Sequence, residues 1–376
     1  MSYNAPCKSV DELRQWLMIY LDLKMPAQAV CTHHQSPMDY LAAAYFEPAK
    51  DQVVWAPRGG GKTTLAAAAT LLDLLHKPGC SVRILGGSLD QSLRTWDTLV
   101  GWFHERFKGE LVDPSATARR LRLRNGSTAA VLTQSQKSVR GLRVQKLRCD
   151  EVELFDPAIW SAAQMVTRSQ RTTEQENTAS TQLVRGTIEA LSTLHKSHGL
   201  MKKIVDQAGT SGAAIVRWCL LDVLEQCPPQ RECDKCPLWQ ECQGAAKTRC
   251  DGFFRIDDAI SIKSRVSDDV WQTEMMCLRP STHGSIFPML DPARHVVDTP
   301  PFSLKSNCEW WLAIDFGFSA PLVCLWIAVS GDRIYVVDEH ILRERTLEQH
   351  LAMIEAREWP RAPRIACDPA GGGRNE

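Results

Sequence analysis

Nowhere in the 376 residues is there an uninterrupted apolar span of about 18 residues, the length a membrane-crossing helix needs. Nor does the chain open on basic residues followed by an apolar stretch, the pattern of a secretory leader. Both absences lead us to expect a protein that stays in a cytoplasm and has no membrane partner. Net charge is lacking too: 44 Lys and Arg balance 44 Asp and Glu, so any affinity for nucleic acid has to come from local patches. One patch is defined by what it lacks. Between Asp113 and Asp150 there is no acidic residue, while Arg119, Arg120, Arg122, Arg124, Lys137, Arg140, Arg143, Lys146 and Arg148 all fall there. A solvated face and a phosphate-facing surface are both open readings of that run.

What is present is organised around Ala56-Pro57-Arg58-Gly59-Gly60-Gly61-Lys62-Thr63, followed by Thr64. The loop is entered from the apolar run Val53-Val54-Trp55 and left through Leu65 and four alanines. A strand, a glycine-rich turn and a helix starting on Lys-Thr make a phosphate cradle in which backbone N–H groups and a helix N-terminus face the anion. Lys62 is expected to reach the β and γ phosphates of ATP, and the Thr63 hydroxyl suits Mg2+. Ala56 stands where the usual pattern has its first glycine.

The second half of such a site is an acidic pair closing a strand. Lys146-Leu147-Arg148-Cys149-Asp150-Glu151 supplies it, 88 residues after Lys62. Asp150 is expected to hold Mg2+ through water, and Glu151 to orient and deprotonate the attacking water. Further on, a strand over residues 183–191 ends in Ser192-Thr193, open to two readings: a polar turn, or a link between γ-phosphate occupancy and the nucleic-acid grip. Upstream, Gln35 either reads an adenine edge or is a solvated loop residue. Before it, Ser9-Val10-Asp11-Glu12 carries a capping-box signature ahead of Leu13, Trp16, Leu17, Tyr20 and Leu21, which predicts an N-terminal helix.

Fourteen cysteines in a cytoplasmic chain do not make a disulfide framework. Cys227, Cys233, Cys236, Cys242 and Cys250 fall within 24 residues, two of them in C-x2-C spacing. Thiolates so spaced chelate one metal and two more close a tetrahedron, which leaves Cys227 or Cys250 outside. Zinc is expected. An iron–sulfur cluster and metal-free thiols are the alternatives.

Near the C-terminus, residues 310–317, 321–329 and 333–337 read as three successive apolar strands, with Asp315 near the end of the first. Arg364-Ile365-Ala366-Cys367-Asp368 is a fourth, with Asp368 standing 53 residues after Asp315. Paired at strand ends, these carboxylates are expected to hold the Mg2+ or Mn2+ ions of a phosphodiester-cutting site. Asp315-Phe316-Gly317 also spells a kinase motif, but no His-Arg-Asp precedes it and the phosphate loop is of another kind.

The proline-arginine form of the loop, Ser138-Val139-Arg140-Gly141 ahead of Asp150-Glu151, and the Ser192-Thr193 strand end together resemble the ATPase of a tailed-phage terminase large subunit. Trp271-Gln272-Thr273-Glu274 followed by Gly284-Ser285-Ile286-Phe287-Pro288 is similar to that family's junction between motor and nuclease. The resemblance implies that Arg58 senses or stabilises the γ-phosphate in cis. It further implies an ATP-driven motor that packages double-stranded DNA and a ribonuclease H-like nuclease that cuts concatemers. The implied partners are a portal protein and procapsid, a small terminase subunit and further copies of the chain in a ring, all in a bacterial host cytoplasm. Family nucleases carry a third acid downstream. The chain ends eight residues after Asp368, so a C-terminally incomplete nuclease is expected, with Glu339 the one conceivable substitute. Two rival functions are a repair helicase or translocase-nuclease and a nucleotide-regulated DNA-binding ATPase that does not cut.

The expected architecture is α/β throughout. An N-terminal helical segment (1–45) leads to a P-loop ATPase domain with a parallel sheet covered on both faces (46–220) and a cysteine-rich insertion (221–255). A linker (256–300) and the ribonuclease H-like domain (301–376) follow.

Overall fold

The computed structural model of the chain describes residues 2–48, 51–133, 135, 139, 141, 143–173, 181–196, 199–278, 292–297, 299 and 308–367. Helices α1 (Val10–Leu21) and α2 (Pro37–Phe46) come first. Ser9 caps α1 by accepting the Glu12 N–H, but the Glu12 carboxylate passes Ser9 and takes the Lys8 N–H instead. Leu13, Trp16, Leu17 and Leu21 form its buried face, as their three-and-four spacing requires. The full capping box belongs to α2, where Ser36 and Asp39 each accept the other's backbone N–H.

Seven strands build the main sheet: β1 (Gln52–Trp55), β2 (Ser81–Gly86), β3 (Arg120–Arg122), β4 (Thr128–Leu132), β5 (Lys146–Asp150), β8 (Thr187–Ser192) and β9 (Ala214–Arg217). Strands β6 (Gln170–Thr173) and β7 (Thr181–Val184) pair with each other outside it. The order across the main sheet is β3-β4-β2-β5-β8-β1-β9, and only β3 runs antiparallel to its neighbour. β1, β5 and β8 are buried at every position, which demands cover on both faces. Successive residues alternate between two cores. Val54 and Leu191 face one, with α1, α2, α3 (Lys62–His76) and α4 (Leu89–Arg106); Val53, Trp55, Leu147 and Cys149 face the other, with Ile159, Ile204 and Trp271.

Two residues of the basic run do neither of the things the sequence suggested. Lys146 and Arg148 lie on the central strand β5 and are buried. Arg148 donates to Asp73 (2.6 Å) and lies 3.0 Å from Glu189 Oε1, while Lys146 and Lys77 both meet Glu47. Tyr40 adds a hydroxyl to Glu189 at 2.7 Å. Arg119, Arg120, Arg122, Arg124 and Arg143 remain exposed, whereas Lys137 and Arg140 lie outside the described residues.

The chain divides into two compact units between residues 286 and 287. This corrects the linker expected over 256–300. Residues 256–278 belong to the first unit, as a helix (Ile256–Lys263) and a short π-helical turn (Trp271–Met275) whose Trp271 is fully buried. In the second unit, β10 (Glu309–Asp315), β11 (Leu322–Ser330) and β12 (Arg333–Leu342) form an antiparallel meander, and β13 (Arg364–Cys367) pairs parallel with β10. The resulting order, β12-β11-β10-β13, sets the fourth strand alongside the first. Leu322, Cys324 and Trp326 are its buried centre.

Candidate functional site

The loop between β1 and α3 needs its glycines. Gly59 and Gly61 have φ of 68° and 83°, a region L side chains rarely occupy. At Gly60 a Cβ would lie 2.7 Å from the Pro57 ring. Ala56 is absent from the positive-φ residues and fully buried, so the position that departs from the usual pattern accommodates a side chain without strain.

β8 lies between β1 and β5, which sets the Asp150 strand one place away from the loop and leaves room for an anion between them. Lys62 folds back on its own loop, donating to Pro57 O (2.9 Å) and Ala56 O (3.2 Å), with Glu151 Oε1 3.9 Å away. Thr63 Oγ1 donates to Asp150 Oδ2 at 3.0 Å. The other oxygen, Asp150 Oδ1, is buried with no partner. Burial raises the Asp150 pKa, the neighbouring Lys62 pulls it back, and the Glu151 charge adds to the rise. A buried carboxylate oxygen beside a threonine hydroxyl at the foot of a phosphate loop fits a hydrated divalent cation. Glu151 itself sits at φ 55°, ψ 50°, a left-handed conformation that costs a non-glycine residue about 1 kcal/mol or more.

Ser192 and Thr193, read two ways from the sequence, connect to the site. Ser192 Oγ lies 3.4 Å from Glu151 Oε2, and the Ser192 carbonyl accepts the Ala56 N–H. Thr193 Oγ1 meets His195 Nδ1 at 3.0 Å, and the same nitrogen is 3.9 Å from Glu274 Oε1. Glu274 Oε2 in turn accepts from Arg58 Nε at 2.9 Å. Strand end, histidine, glutamate and loop arginine thus form one polar chain around the phosphate cradle.

A cavity of about 530 Å³ opens here, lined by Arg58 through Thr64, Asp150, Glu151, Gln91, Arg94, Leu154, His195 and Phe253. Every residue expected at the nucleotide lines it. Glu274, His195, Arg94 and Phe253 were not anticipated, since nothing in their local spacing links them to the loop. Phe253 is 44% exposed, and its ring lies 3.1 Å from where a Gly61 Cβ would stand. Gln35 is an exposed loop residue, the second of the two readings open for it, and it also holds a neighbouring strand. Its backbone N–H donates to Arg217 O and its side-chain oxygen accepts the Arg217 N–H, so it clamps the end of β9.

The donors expected in the cysteine-rich segment are not drawn together within metal-ligand spacing among the described residues. Among the described residues, one group of three or more potential ligands has its donor atoms within 4.8 Å of one another: Cys31, His34, Cys219 and Asp222. Cys227, Cys233, Cys236, Cys242 and Cys250 form no such group. Cys250 Sγ instead donates to Leu221 O at 3.3 Å, and Cys242 Sγ accepts the Ala246 N–H at 3.4 Å.

In the second unit Asp315 is exposed at the end of β10, and Ile314 pairs with Cys367 at the end of β13. Asp368 lies outside the described residues, as do Ser138 and Gly284 to Pro288. Glu339 is exposed on β12, opposite Leu325.

No family model matches the chain, and no curated protein does. Among solved structures it is similar to the large terminase of a thermophilic bacteriophage, at 13% identity and TM-score 0.45, over 89% of this chain and 77% of that one. The HK97 bacteriophage large terminase is similar at 15% identity and TM-score 0.47, over 88% and 69%. The large terminase ATPase domain of Thermus phage P74-26 gives 14% identity and TM-score 0.39, over 63% and 91%. At such identities and scores the likeness says nothing about individual residues. No helix among the described residues is long and apolar enough to cross a membrane.

Proposed function

We propose that the chain is a tailed-phage terminase large subunit: an ATPase that drives double-stranded DNA into a procapsid, joined to a metal-dependent nuclease. The observation that carries the ATPase is the pairing of Thr63 with Asp150 at 3.0 Å while Asp150 Oδ1 stays buried without a partner, in one cavity with Lys62 and Glu151. Mg2+-ATP supplies the phosphoanhydride bond whose hydrolysis releases the energy for translocation. Gly59 to Lys62 would bind its phosphates, and Thr63 and Asp150 would hold the cation. The Lys62 ammonium leaves its two loop carbonyls for the anion. Glu151 Oε accepts the proton of the attacking water, and Ser192 keeps that carboxylate oriented. Arg58 places its charge where negative charge accumulates as the phosphoryl group departs.

For the nuclease, Asp315, exposed at the end of β10, and Asp368 would hold the Mg2+ or Mn2+ ions that activate water. Portal, procapsid, small subunit and a ring of identical chains are the partners this reading carries with it, in the cytoplasm of a bacterial host.

Paired variants test the motor. Lys62→Ala is expected to lose nucleotide binding measured by calorimetry, whereas Glu151→Gln binds ATP with turnover down at least ~10²-fold. Hydrolysis at the parent rate in either variant would remove the assignment. In a chain extended to supply the third acid, Asp315→Ala is expected to abolish metal-dependent DNA cleavage and leave ATP turnover unchanged. ATP-dependent strand separation without stimulation by a portal would favour a helicase.

A further inference from the structure

Two short turns, distant in sequence, face each other behind the β9 end of the sheet. In one, His34 N–H donates to Cys31 O at 3.2 Å; in the other, Asp222 N–H donates to Cys219 O at 3.2 Å. Each turn brings a thiol and a second donor, three residues on, to the same side, in C-x2-H and C-x2-D spacing. Chelating knuckles are built this way. The two sulfurs are 3.6 Å apart, and His34 Nδ1 is 2.7 Å from Asp222 Oδ2. All four donor atoms lie within 4.8 Å of one another. Zinc–sulfur bonds near 2.3 Å in a tetrahedron put two sulfurs about 3.8 Å apart, close to the spacing found here.

We infer that Cys31, His34, Cys219 and Asp222 bind one zinc ion, joining the segment before α2 to the segment after β9. The sulfur, nitrogen and oxygen donors suit zinc better than the all-oxygen cations Mg2+ and Ca2+. The site is preformed. Asp222 is held in place by the N–H groups of Val30 (2.7 Å), Cys31 (3.1 Å) and Cys219 (2.7 Å), and its side chain, like that of His34, is almost wholly buried. Binding expels two protons to solvent, leaving both sulfurs as thiolates and His34 Nδ1 free of the proton it shares with Asp222, and His34 and Asp222 separate by about 0.7 Å to take tetrahedral positions. Two thiolates and a carboxylate leave the occupied site with one net negative charge. Arg217, whose guanidinium stacks on Trp55 at 4.2 Å and lies in the field of Cys31, Cys219 and Asp222, offsets it. Trp218 lies between Arg217 and Cys219 and donates to Gly60 O at 3.0 Å, so the ion braces the strand end that supports the phosphate loop.

The test is elemental analysis of the full chain, purified with reductant and without chelator, as parent, Cys31→Ser/Cys219→Ser and Cys233→Ser/Cys236→Ser. Loss of one zinc equivalent in the first double variant, and its retention in the second, is the expected result. A parent with no zinc, or equal zinc in the parent and the first double variant, overturns the assignment. So does a Cys31–Cys219 disulfide found by mass spectrometry in place of the metal. Should the first double variant not fold, Co2+ replaces it as the probe in the Cys233→Ser/Cys236→Ser background. There Cys219→Ser is expected to lower the thiolate-to-cobalt absorption to about half, and an unchanged band overturns the site.

Discussion

Arg58 and Glu274, 216 residues apart, are joined twice: Arg58 Nε donates to Glu274 Oε2 at 2.9 Å, and the Arg58 N–H donates to the Glu274 carbonyl at 3.1 Å. The phosphate loop is therefore tethered to the π-helical turn Trp271–Met275. The Arg58 side chain is 73% exposed, so its guanidinium can swing from the glutamate toward an anion at little desolvation cost. Arg58→Ala is expected to slow single-turnover ATP hydrolysis by ~10²-fold or more while ADP affinity changes by less than about threefold. Equal losses in both measurements would mean that Arg58 binds ground-state phosphate and no more.

Asp150 is costly to the empty protein. Burial raises its pKa, so the ionised form, which dominates in the unfolded chain at neutral pH, is disfavoured in the fold. The sign follows from linkage: the penalty is present above the folded pKa and fades as pH falls and both states become protonated. Asp150→Asn is expected to raise the melting temperature of the nucleotide-free protein at pH 7. The gain should shrink toward pH 4, and the variant should lack Mg2+-dependent turnover. A variant less stable than the parent at pH 7 would show that Lys62 already compensates the carboxylate in full.

The opposite holds for Asp73. Lys77, Arg148 and Lys146 outweigh its burial and hold its pKa well below the ordinary carboxylate value. Its contribution is thus complete above about pH 4, the unfolded value, and is lost as pH falls toward the folded one. Glu189, Glu47, Tyr40 and His76 share this interior with the three cations. Arg148→Met leaves two buried carboxylates without their shared partner, and a loss of about 3–5 kcal/mol in urea unfolding at pH 7 is expected. A loss under about 1 kcal/mol would mean that water reaches this network.

Phe253 presents its ring at the cavity, over the start of α3. A half-exposed aromatic there is placed to stack on a nucleobase. Phe253→Ala is expected to raise the KM for ATP about tenfold with little change in kcat, in keeping with ~1–3 kcal/mol for an aromatic–base stack. A fall in kcat at unchanged KM would instead give Phe253 a part in closing the site.

The proposed nucleotide site was legible because its chemistry is local. Gly59 to Thr63 are consecutive, and Asp150-Glu151 closes a strand whose apolar neighbours announce it. Side chains that reach the site from afar leave no such trace. Glu274 arrives through a π-helical turn, and Cys31 meets Cys219 across 188 residues, a distance at which spacing says nothing. Charge misled where burial decides. Lys146 and Arg148 look like surface cations in a basic run, yet a central parallel strand buries both faces, and there they pair with Asp73, Glu47 and Glu189. The cysteine spacing drew attention elsewhere: C-x2-C between Cys233 and Cys236 took the metal expectation to one segment, while two mixed knuckles, Cys31 with His34 and Cys219 with Asp222, went unread.

Glu241, one residue before Cys242, accepts from Lys263 Nζ at 2.7 Å and from the Trp271 indole N–H at 2.9 Å. Trp271 begins the turn that carries, three residues later, the Arg58 partner Glu274. Deleting the cysteine-rich stretch would leave a lysine without its counter-charge and a buried indole without an acceptor, at the base of the loop tether. Shortening by descent therefore has to be accompanied by replacement of Lys263 and Trp271. In any chain of this kind that lacks the stretch, those two positions are where the compensating substitutions belong.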